Sequence, residues 1–269
     1  MLAFTEHETI SNAIKIEEAY IKSKEKYPNL KIIRGNEIYL CRDGLNNENF
    51  VKGDDKYFHF ILLARDAVGH QQIRELSTRA WMRSWMNGKM RRVPTYYEDL
   101  LDIIAPNPGH VIGSTACLGG FLGTKLLQWR AEGASISFYD KIRNWLKQMN
   151  GIFGQGNFYL EMQPSENEEQ IFVNKQIYSL AKELNLPFTI TTDSHYTKKE
   201  DAPIHKAFLN AQEGDREIDS FYSTTYMMST DEIEHYISYF DSSILQEAYQ
   251  NIIDIKNKFF VLGIVWNLY

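Results

Sequence analysis

Five short segments rich in β-branched and aromatic residues recur along the chain and predict β-strands. They cover residues 31–41, 57–65, 110–118, 157–163 and 187–196. Ile, Val, Phe, Tyr and Thr fit the pleated, half-buried surface of a sheet better than most other residue types do. A further segment, residues 2–5, resembles only the tail of a strand, so we expect the first strand to be incomplete.

Helical segments alternate with these strands. Apolar residues recur at helical spacing within residues 10–21, 69–80 and 171–184. A capping box at residues 229–232 opens another helix, and a last helix is expected over residues 242–258. Repeated β-then-α units predict parallel strands joined by right-handed crossovers, which means a barrel or an open sheet. No linker-like stretch divides the chain, so we expect one α/β domain.

Composition and charge fit a folded cytoplasmic protein. Of the 269 residues, 43% are hydrophobic and 24% are charged, which is ordinary for a soluble globular chain. The net charge of −6 argues against broad non-specific nucleic-acid binding, although an acidic pocket filled with divalent cations attracts phosphate. The two cysteines, Cys41 and Cys117, have no paired spacing and favour a reducing compartment. No signal peptide opens the chain.

The apolar segment at residues 259–269 is too short to span a bilayer. We interpret it as a tail that docks on the domain, or as the start of a further domain. No membrane association is expected.

Residue types that bind metal ions stand beside most of the predicted strands. They are Glu6, His7, Glu37, His59, Cys117, Asp193 and His195. Oxygen, imidazole and thiolate donors together suit Zn²⁺, Mn²⁺ or Fe²⁺ better than Ca²⁺. Each residue alone also has a structural interpretation, as a hydrogen-bonded histidine, a small buried thiol or an ion-pair partner. Asp193 and His195 lie two apart at the end of a predicted strand, so we expect them to share one face.

The order of these residues resembles the PHP (polymerase and histidinol phosphatase) domain. The motifs are Glu6-His7 after a strand, GNEIY (35–39), YFHFILLA (57–64), STACLGG (114–120), FYLEMQ (158–163) and TTDSHYTKKEDAPIHKAFL (191–209). The resemblance runs to about position 257 and is closest to the version in the bacterial DNA polymerase III α subunit. It implies a distorted seven-stranded (β/α) barrel over residues 1–258, with up to three metal ions at the carboxyl ends of the strands.

The resemblance also implies roles for individual residues. The positions that match family metal ligands are His7, Glu37, His59, Cys117, Asp193 and His195. Glu6 stands where the family usually has Asp, and its longer side chain moves the carboxylate oxygens by one methylene. Arg92 best matches the arginine of a family segment that lines the approach to the metal site, and we expect it to contact substrate phosphate. Glu161 and His205 are expected to hold the metal ligands in position without binding the metal themselves.

Metal-dependent hydrolysis of a phosphoester, including 3′–5′ exonuclease activity, is the function that the resemblance implies. Zn²⁺ or Mn²⁺ would be the cofactor, and DNA or a nucleotide phosphate the substrate. The family's opening His-x-His motif and the polymerase domains have no counterpart in the sequence, so we expect fewer than three metals. The competing hypothesis is a non-catalytic replication module that supports or binds a separate replicative polymerase chain or the replisome. A free-standing histidinol-phosphate-type phosphatase is a third.

Residues 79–93 form one basic segment that contains Trp81 and Trp85. The spacing of the two tryptophans predicts a helix that presents both on one face. The alternative is a surface that contacts phosphate and stacks on the bases of a single-stranded nucleic acid.

Overall fold

Short strands and longer helices alternate along the chain in the computed structural model, which describes residues 2–213 and 222–259. The strands are β1 (Leu2–Phe4), β2 (Ile32–Cys41), β3 (Phe58–Ala64), β4 (Trp85–Asn87), β5 (Met90–Arg92), β6 (Pro94–Tyr96), β7 (Val111–Ser114), β8 (Phe158–Met162) and β9 (Phe188–Ile190). The helices are α1 (Ala13–Ser23), α2 (Ala67–Met82), α3 (Tyr97–Ile103), α4 (Phe121–Ala131), α5 (Ile136–Phe153), α6 (Glu168–Leu184), α7 (Ala202–Glu213), α8 (Thr230–Tyr236) and α9 (Ser242–Lys258).

The predicted elements are confirmed in type, with strands that are shorter than expected. β7 ends at Ser114 and β9 at Ile190, and polar loops follow both. The expected incomplete first strand has three residues, Leu2–Phe4. The capping box of α8 is present, because the Glu232 amide donates to Ser229 Oγ and the Glu232 carboxylate accepts from the Ser229 amide. Beyond residue 259, the predicted apolar tail lies outside the described residues.

Seven of the described strands form one sheet in the order β1-β2-β3-β7-β8-β9, with β6 beside the end of β2. The pairs β1/β2, β2/β6, β7/β8 and β8/β9 are parallel. β3 is antiparallel to both β2 and β7, so the prediction of a wholly parallel sheet was wrong. The physical reason is that residues 42–57 contain no helix, and the chain therefore returns beside β2 instead of crossing over.

The sheet is curled, as in a barrel-like α/β fold. β1 and β9 lie at opposite ends of the strand order, yet the rings of His7 and His195, which follow these two strands, have centroids 6.0 Å apart. Within the sheet, Phe60 stacks on Phe153 and Phe158 in the apolar core. Among the described residues, no helix is long and apolar enough to cross a membrane.

The basic segment is a helix end followed by a hairpin. α2 ends at Met82, and β4 and β5 pair as a separate two-stranded sheet. Trp81 and Trp85 therefore do not share a helix, and the predicted helix face was wrong. Gly88, with φ of 62°, begins a two-residue loop of the kind that glycine favours in hairpins. This turn overrides the helical spacing of the tryptophans.

Candidate metal centre

The first three strands bring three ligand-type side chains together. His7 follows β1, Glu37 lies within β2, and His59 lies near the start of β3. Ligand atoms of the three residues lie within 4.8 Å of one another. Glu37 Oε1 is 2.6 Å from Nδ1 of His59 and 3.8 Å from Nδ1 of His7. Three donors at this separation can face a single metal ion.

Sheet register explains this convergence. Tyr39 pairs with His59 and Glu37 pairs with Ile61 across the antiparallel ladder. Glu37 and His59 are therefore diagonal neighbours on the same face of the sheet. Beyond β1, a bridge between His7 and Glu37 continues the parallel pairing. His59 thus enters the cluster from the amino end of a strand, whereas the resemblance implied carboxyl ends throughout.

Loops supply the remaining ligand-type side chains. Sγ of Cys117, in the loop after β7, is 3.5 Å from Nδ1 of His59. Asp193 and His195 lie in the loop after β9, so the expectation that they share a strand face was wrong. Asp193 has a left-handed backbone with φ of 44°, and the His195 amide donates to the Thr225 carbonyl at 2.8 Å. The loop still turns His195 toward His7.

Backbone strain is concentrated here. Five non-glycine residues among those described have positive φ, and three of them, Glu8, Ala116 and Asp193, are ligand-type residues or adjoin one. Such conformations cost free energy and persist where the surrounding structure enforces them, often at functional sites.

Buried charges are coupled across the cluster. Burial opposes ionisation of Glu37, but the hydrogen bond and charge of His59 and the charge of His7 outweigh it and lower the pKa of Glu37. Burial also opposes protonation of His59, and Glu37 in turn raises the pKa of His59. Burial, followed by the charges of Asp193 and Glu37, raises the pKa of the Cys117 thiol. Burial raises the pKa of Asp193 as well.

This donor set fits a divalent transition metal. The buried Glu37 carboxyl, the half-buried Asp193 carboxyl and the buried Cys117 thiol lie beside imidazoles. A cation would compensate the negative charge that burial disfavours. Two of the imidazoles are also oriented for binding. Nδ1 of His7 donates to the Tyr39 hydroxyl oxygen at 3.2 Å, and Nδ1 of His195 donates to the Asp193 carbonyl at 2.7 Å. Both histidines keep Nε2 for a metal ion.

Comparison with known proteins gives the family. The family description "PHP domain" matches residues 1–165. The chain belongs to the PHP domain family. It is 38% identical over 261 residues to "Probable DNA polymerase YorL" of Bacillus subtilis, a match that covers 93% of this chain and 20% of that protein. It is 29% identical over 214 residues to "DNA polymerase III subunit alpha" of Thermus aquaticus, covering 78% of this chain and 16% of that protein.

The chain therefore spans a fifth or less of the length of these curated relatives. Its similarity to the amino acid sequences of polymerase III α subunits agrees with the resemblance inferred from the motifs. PHP domains are generally metal-dependent, and the His7, Glu37 and His59 group of this chain is consistent with that property.

Glu6 is not brought into the cluster of this PHP domain. Its carboxylate accepts a hydrogen bond from the Asn12 side chain. It lines a small open cavity between β1, α1 and α2, together with Arg34 and His70. Of the residues predicted to hold metal, Glu6 alone is directed into this cavity.

Glu8 is a residue of the site that the sequence did not reveal. Alternation along an extended strand would place Glu8 with Glu6, on the face opposite His7. Its positive φ of 59° breaks that alternation. Burial raises the pKa of Glu8 to about 7, while the Val93 amide and the charges of Arg92 and His59 act in the opposite direction. Tyr39 was also missed, although its spacing from Glu37 on β2 could have indicated it.

Glu161, one of the two predicted supporting residues, binds the start of the loop that carries Asp193 and His195. The buried Glu161 carboxylate accepts from Ser114 Oγ at 2.7 Å, Thr191 Oγ1 at 2.6 Å and Gln163 Nε2 at 3.2 Å. Burial raises the pKa of Glu161 to about 7.

His205 and Arg92 lie beside different residues of the site. The His205 ring centroid is 5.6 Å from that of His195 and 5.1 Å from that of Tyr222. The Arg92 guanidinium lies 4.8 Å from the centroid of the Tyr57 ring. Its Nε is buried and has no hydrogen-bond partner among the described residues.

Proposed function

We propose that this PHP domain is a metal-dependent phosphoesterase that acts on DNA or on a nucleotide phosphate. The observation that carries the proposal is the meeting of donor atoms from His7, Glu37 and His59 within 4.8 Å. The ligands we propose are His7, Glu37, His59, Cys117, Asp193 and His195, with Zn²⁺ or Mn²⁺ as the metal. Residues 1–258 form the domain in this proposal.

Different side chains bind the metal, orient its histidine ligands and contact the phosphate in this proposal. A divalent ion held here supplies Lewis acidity toward a phosphate and lowers the pKa of water. Tyr39 and the Asp193 carbonyl hold the imidazoles of His7 and His195 in their binding orientation. Arg92 lies against the Tyr57 ring, and its guanidinium is the phosphate contact in this proposal. Glu161 and His205 hold the loop of Asp193 and His195 in place, Glu161 through its hydrogen bond with Thr191 and His205 through its ring contact with His195.

The polymerase relatives support a role in DNA replication. The proteins named DNA polymerase III subunit alpha contain a region similar to most of this chain. We propose that the domain acts with a replicative polymerase, and that DNA is the polymer on which it works.

Metal analysis combined with a hydrolysis assay tests the proposal. We expect purified protein to bind Zn²⁺ or Mn²⁺ and to release nucleotides from a 3′-labelled single strand, and we expect Asp193→Asn to be inactive. Asp140→Asn is the matched control, because Asp140 pairs with Arg143 at the surface and should leave activity unchanged. Protein that binds no metal, and is as inert as Asp193→Asn, would instead support the non-catalytic replication module.

A further inference from the structure

The β4–β5 hairpin and the end of α2 expose apolar side chains beside the metal centre. Met82 is 84% exposed, Met86 is 49% exposed and Trp81 is 42% exposed. Met86 pairs with Arg91 across the hairpin, and the Arg91 guanidinium lies 5.9 Å from the centroid of the Trp81 ring. We call this set, with Lys89 and Arg92, the hairpin surface.

The hairpin surface carries positively charged side chains that form no ion pair with the described residues. Between Glu75 and Glu98 the sequence contains five basic residues and no acidic one. Arg79 and Arg83 are bound to carboxylates of Glu75, Asp99 and Asp102. Within the described ranges, no carboxylate lies within ion-pair distance of the remaining three. Those three are Lys89, Arg91 and Arg92.

This positive charge stands out against the rest of the molecule. The whole chain has a net charge of −6, so a cluster of uncompensated cations attracts a polyanion to one place. The nearby Trp81 ring adds an exposed aromatic surface. Cations with an accessible aromatic ring match a chain that carries both phosphates and unpaired bases.

The hairpin surface is joined to the metal centre. Trp81 Nε1 donates to the Glu8 carbonyl at 2.8 Å, and Glu8 follows the proposed ligand His7. Arg92, opposite Trp85 in the hairpin, stacks on Tyr57 and interacts electrostatically with the Glu8 carboxylate. One side of the hairpin thus faces the site, while Trp81 and Arg91 face outward.

We propose that the hairpin surface binds single-stranded nucleic acid. Its phosphates contact Lys89, Arg91 and Arg92, and one base stacks on Trp81. Unpaired bases are required because a duplex keeps its bases stacked on one another. The path of the strand toward the metal ions rests on the proposed function, but the binding itself does not.

Fluorescence anisotropy of a labelled 12-nucleotide oligothymidine tests this binding in EDTA, where metal-dependent hydrolysis does not occur. We expect Trp81→Leu to weaken binding by about tenfold with an unchanged salt dependence, because a stacking contact is lost. We expect Lys89→Gln/Arg91→Gln to weaken binding by about tenfold and to reduce the salt dependence, because two phosphate contacts are lost.

Lys141→Gln/Lys147→Gln is the matched control, because both lysines are exposed on α5 and their loss changes net charge equally. Its affinity should match that of the wild type, and thermal melting should show all variants folded. Equal affinity for a duplex of the same length, or preference for an acidic peptide, would overturn the proposal. So would unchanged binding by folded Trp81→Leu and the Lys89→Gln/Arg91→Gln double variant.

The two proposals fail separately. Binding of the oligonucleotide by a protein without metal-dependent hydrolysis would leave the hairpin proposal standing and remove the proposed function. Hydrolysis of a small phosphoester without oligonucleotide binding in EDTA would leave the proposed function standing and remove the hairpin proposal.

Discussion

The two halves of the candidate metal centre are held in different ways. His7, Glu37 and His59 lie on or beside paired strands, and the register of β1, β2 and β3 sets their separation. Cys117, Asp193 and His195 lie on loops, where strained residues and single hydrogen bonds set the backbone. We call these the strand half and the loop half.

Because of this difference, the two halves should tolerate different kinds of substitution. In the strand half, a long ladder keeps the backbone in place when one side chain changes. In the loop half, the His59 amide donates to the Gly119 carbonyl at 3.1 Å and so ties the Cys117 loop to β3. We infer that the strand half is disrupted through side-chain chemistry and the loop half through the backbone.

Removing the Glu37 charge tests the strand half and has the largest expected effect. Glu37→Gln keeps the shape but loses the anion that pairs with His59 and His7, so metal affinity should fall by more than about 100-fold. Metal titration with elemental analysis measures the change. Glu6→Gln is the matched control, because Glu6 faces Asn12. Equal losses in both variants would contradict the assignment of ligands.

A methyl group at Gly120 tests the loop half through its backbone. A Cβ at this position would lie 2.2 Å from the Thr115 carbonyl oxygen and 3.1 Å from the Cys117 carbonyl oxygen. The loop must shift, so Gly120→Ala should lower the free energy of unfolding by about 3 kcal/mol. Urea denaturation measures this change.

Gly151 provides the control for that substitution. It lies near the end of α5, and a Cβ there would meet nothing within 4 Å. Gly151→Ala should raise stability by about 0.5 kcal/mol, because alanine favours helix. If Gly120→Ala were as stable as Gly151→Ala, the loop half would not depend on close backbone packing.

The pH dependence of protein stability tests the role of Glu161, which binds the start of the Asp193 loop in the loop half. Burial raises the pKa of Glu161 to about 7 from a usual 4.5, so the unfolded chain ionises first as pH rises. Metal-free protein should therefore lose stability between about pH 4.5 and 7, and Glu161→Gln should remove this loss. At pH 8 we expect the variant to be more stable by about 2 kcal/mol, and at pH 4 equally stable. A pH-independent difference in urea denaturation would contradict this prediction.

Substitution of Tyr39 has the smallest expected effect on metal affinity and tests how His7 is held in the strand half. Tyr39→Phe removes the hydroxyl oxygen that accepts from Nδ1 of His7 but leaves the ring stacked on His59. Metal affinity should fall by about fivefold, or about 1 kcal/mol. Isothermal titration calorimetry measures it, and an effect as large as that of Glu37→Gln would mean that the ladder does not fix His7.

Strand and helix positions could be predicted from the sequence because each has its own periodicity. The direction of β3 was missed, because direction depends on the connection before the strand and not on the strand's own periodicity. The loop at residues 42–57, rich in Asp, Asn and Gly, indicated a non-helical connection. The spacing of Trp81 and Trp85 matches that of a helix, but Trp85 lies in a hairpin. The glycine at position 88 was the better predictor, because it indicates a turn.

Residue types and their order were enough to predict the cluster, but not how the chain builds it. Asp193 and His195 are brought to the site by a turn after β9 rather than by strand alternation. Glu8 is turned inward by a backbone conformation that only tertiary contacts enforce. Glu6 was an ambiguous ligand in the sequence because it stands where the family usually has Asp and its side chain is one methylene longer.

The curled sheet has a consequence for how the protein opens. No backbone ladder joins β1 to β9 among the described residues, and the two ends meet through the rings of His7 and His195. A gap spanned by side chains separates more readily than paired strands do, and it does so without global unfolding. Amide hydrogens of β1 and β9 should therefore exchange with solvent sooner than those of β3. A metal ion bound between the two ends would act as a latch that slows this exchange.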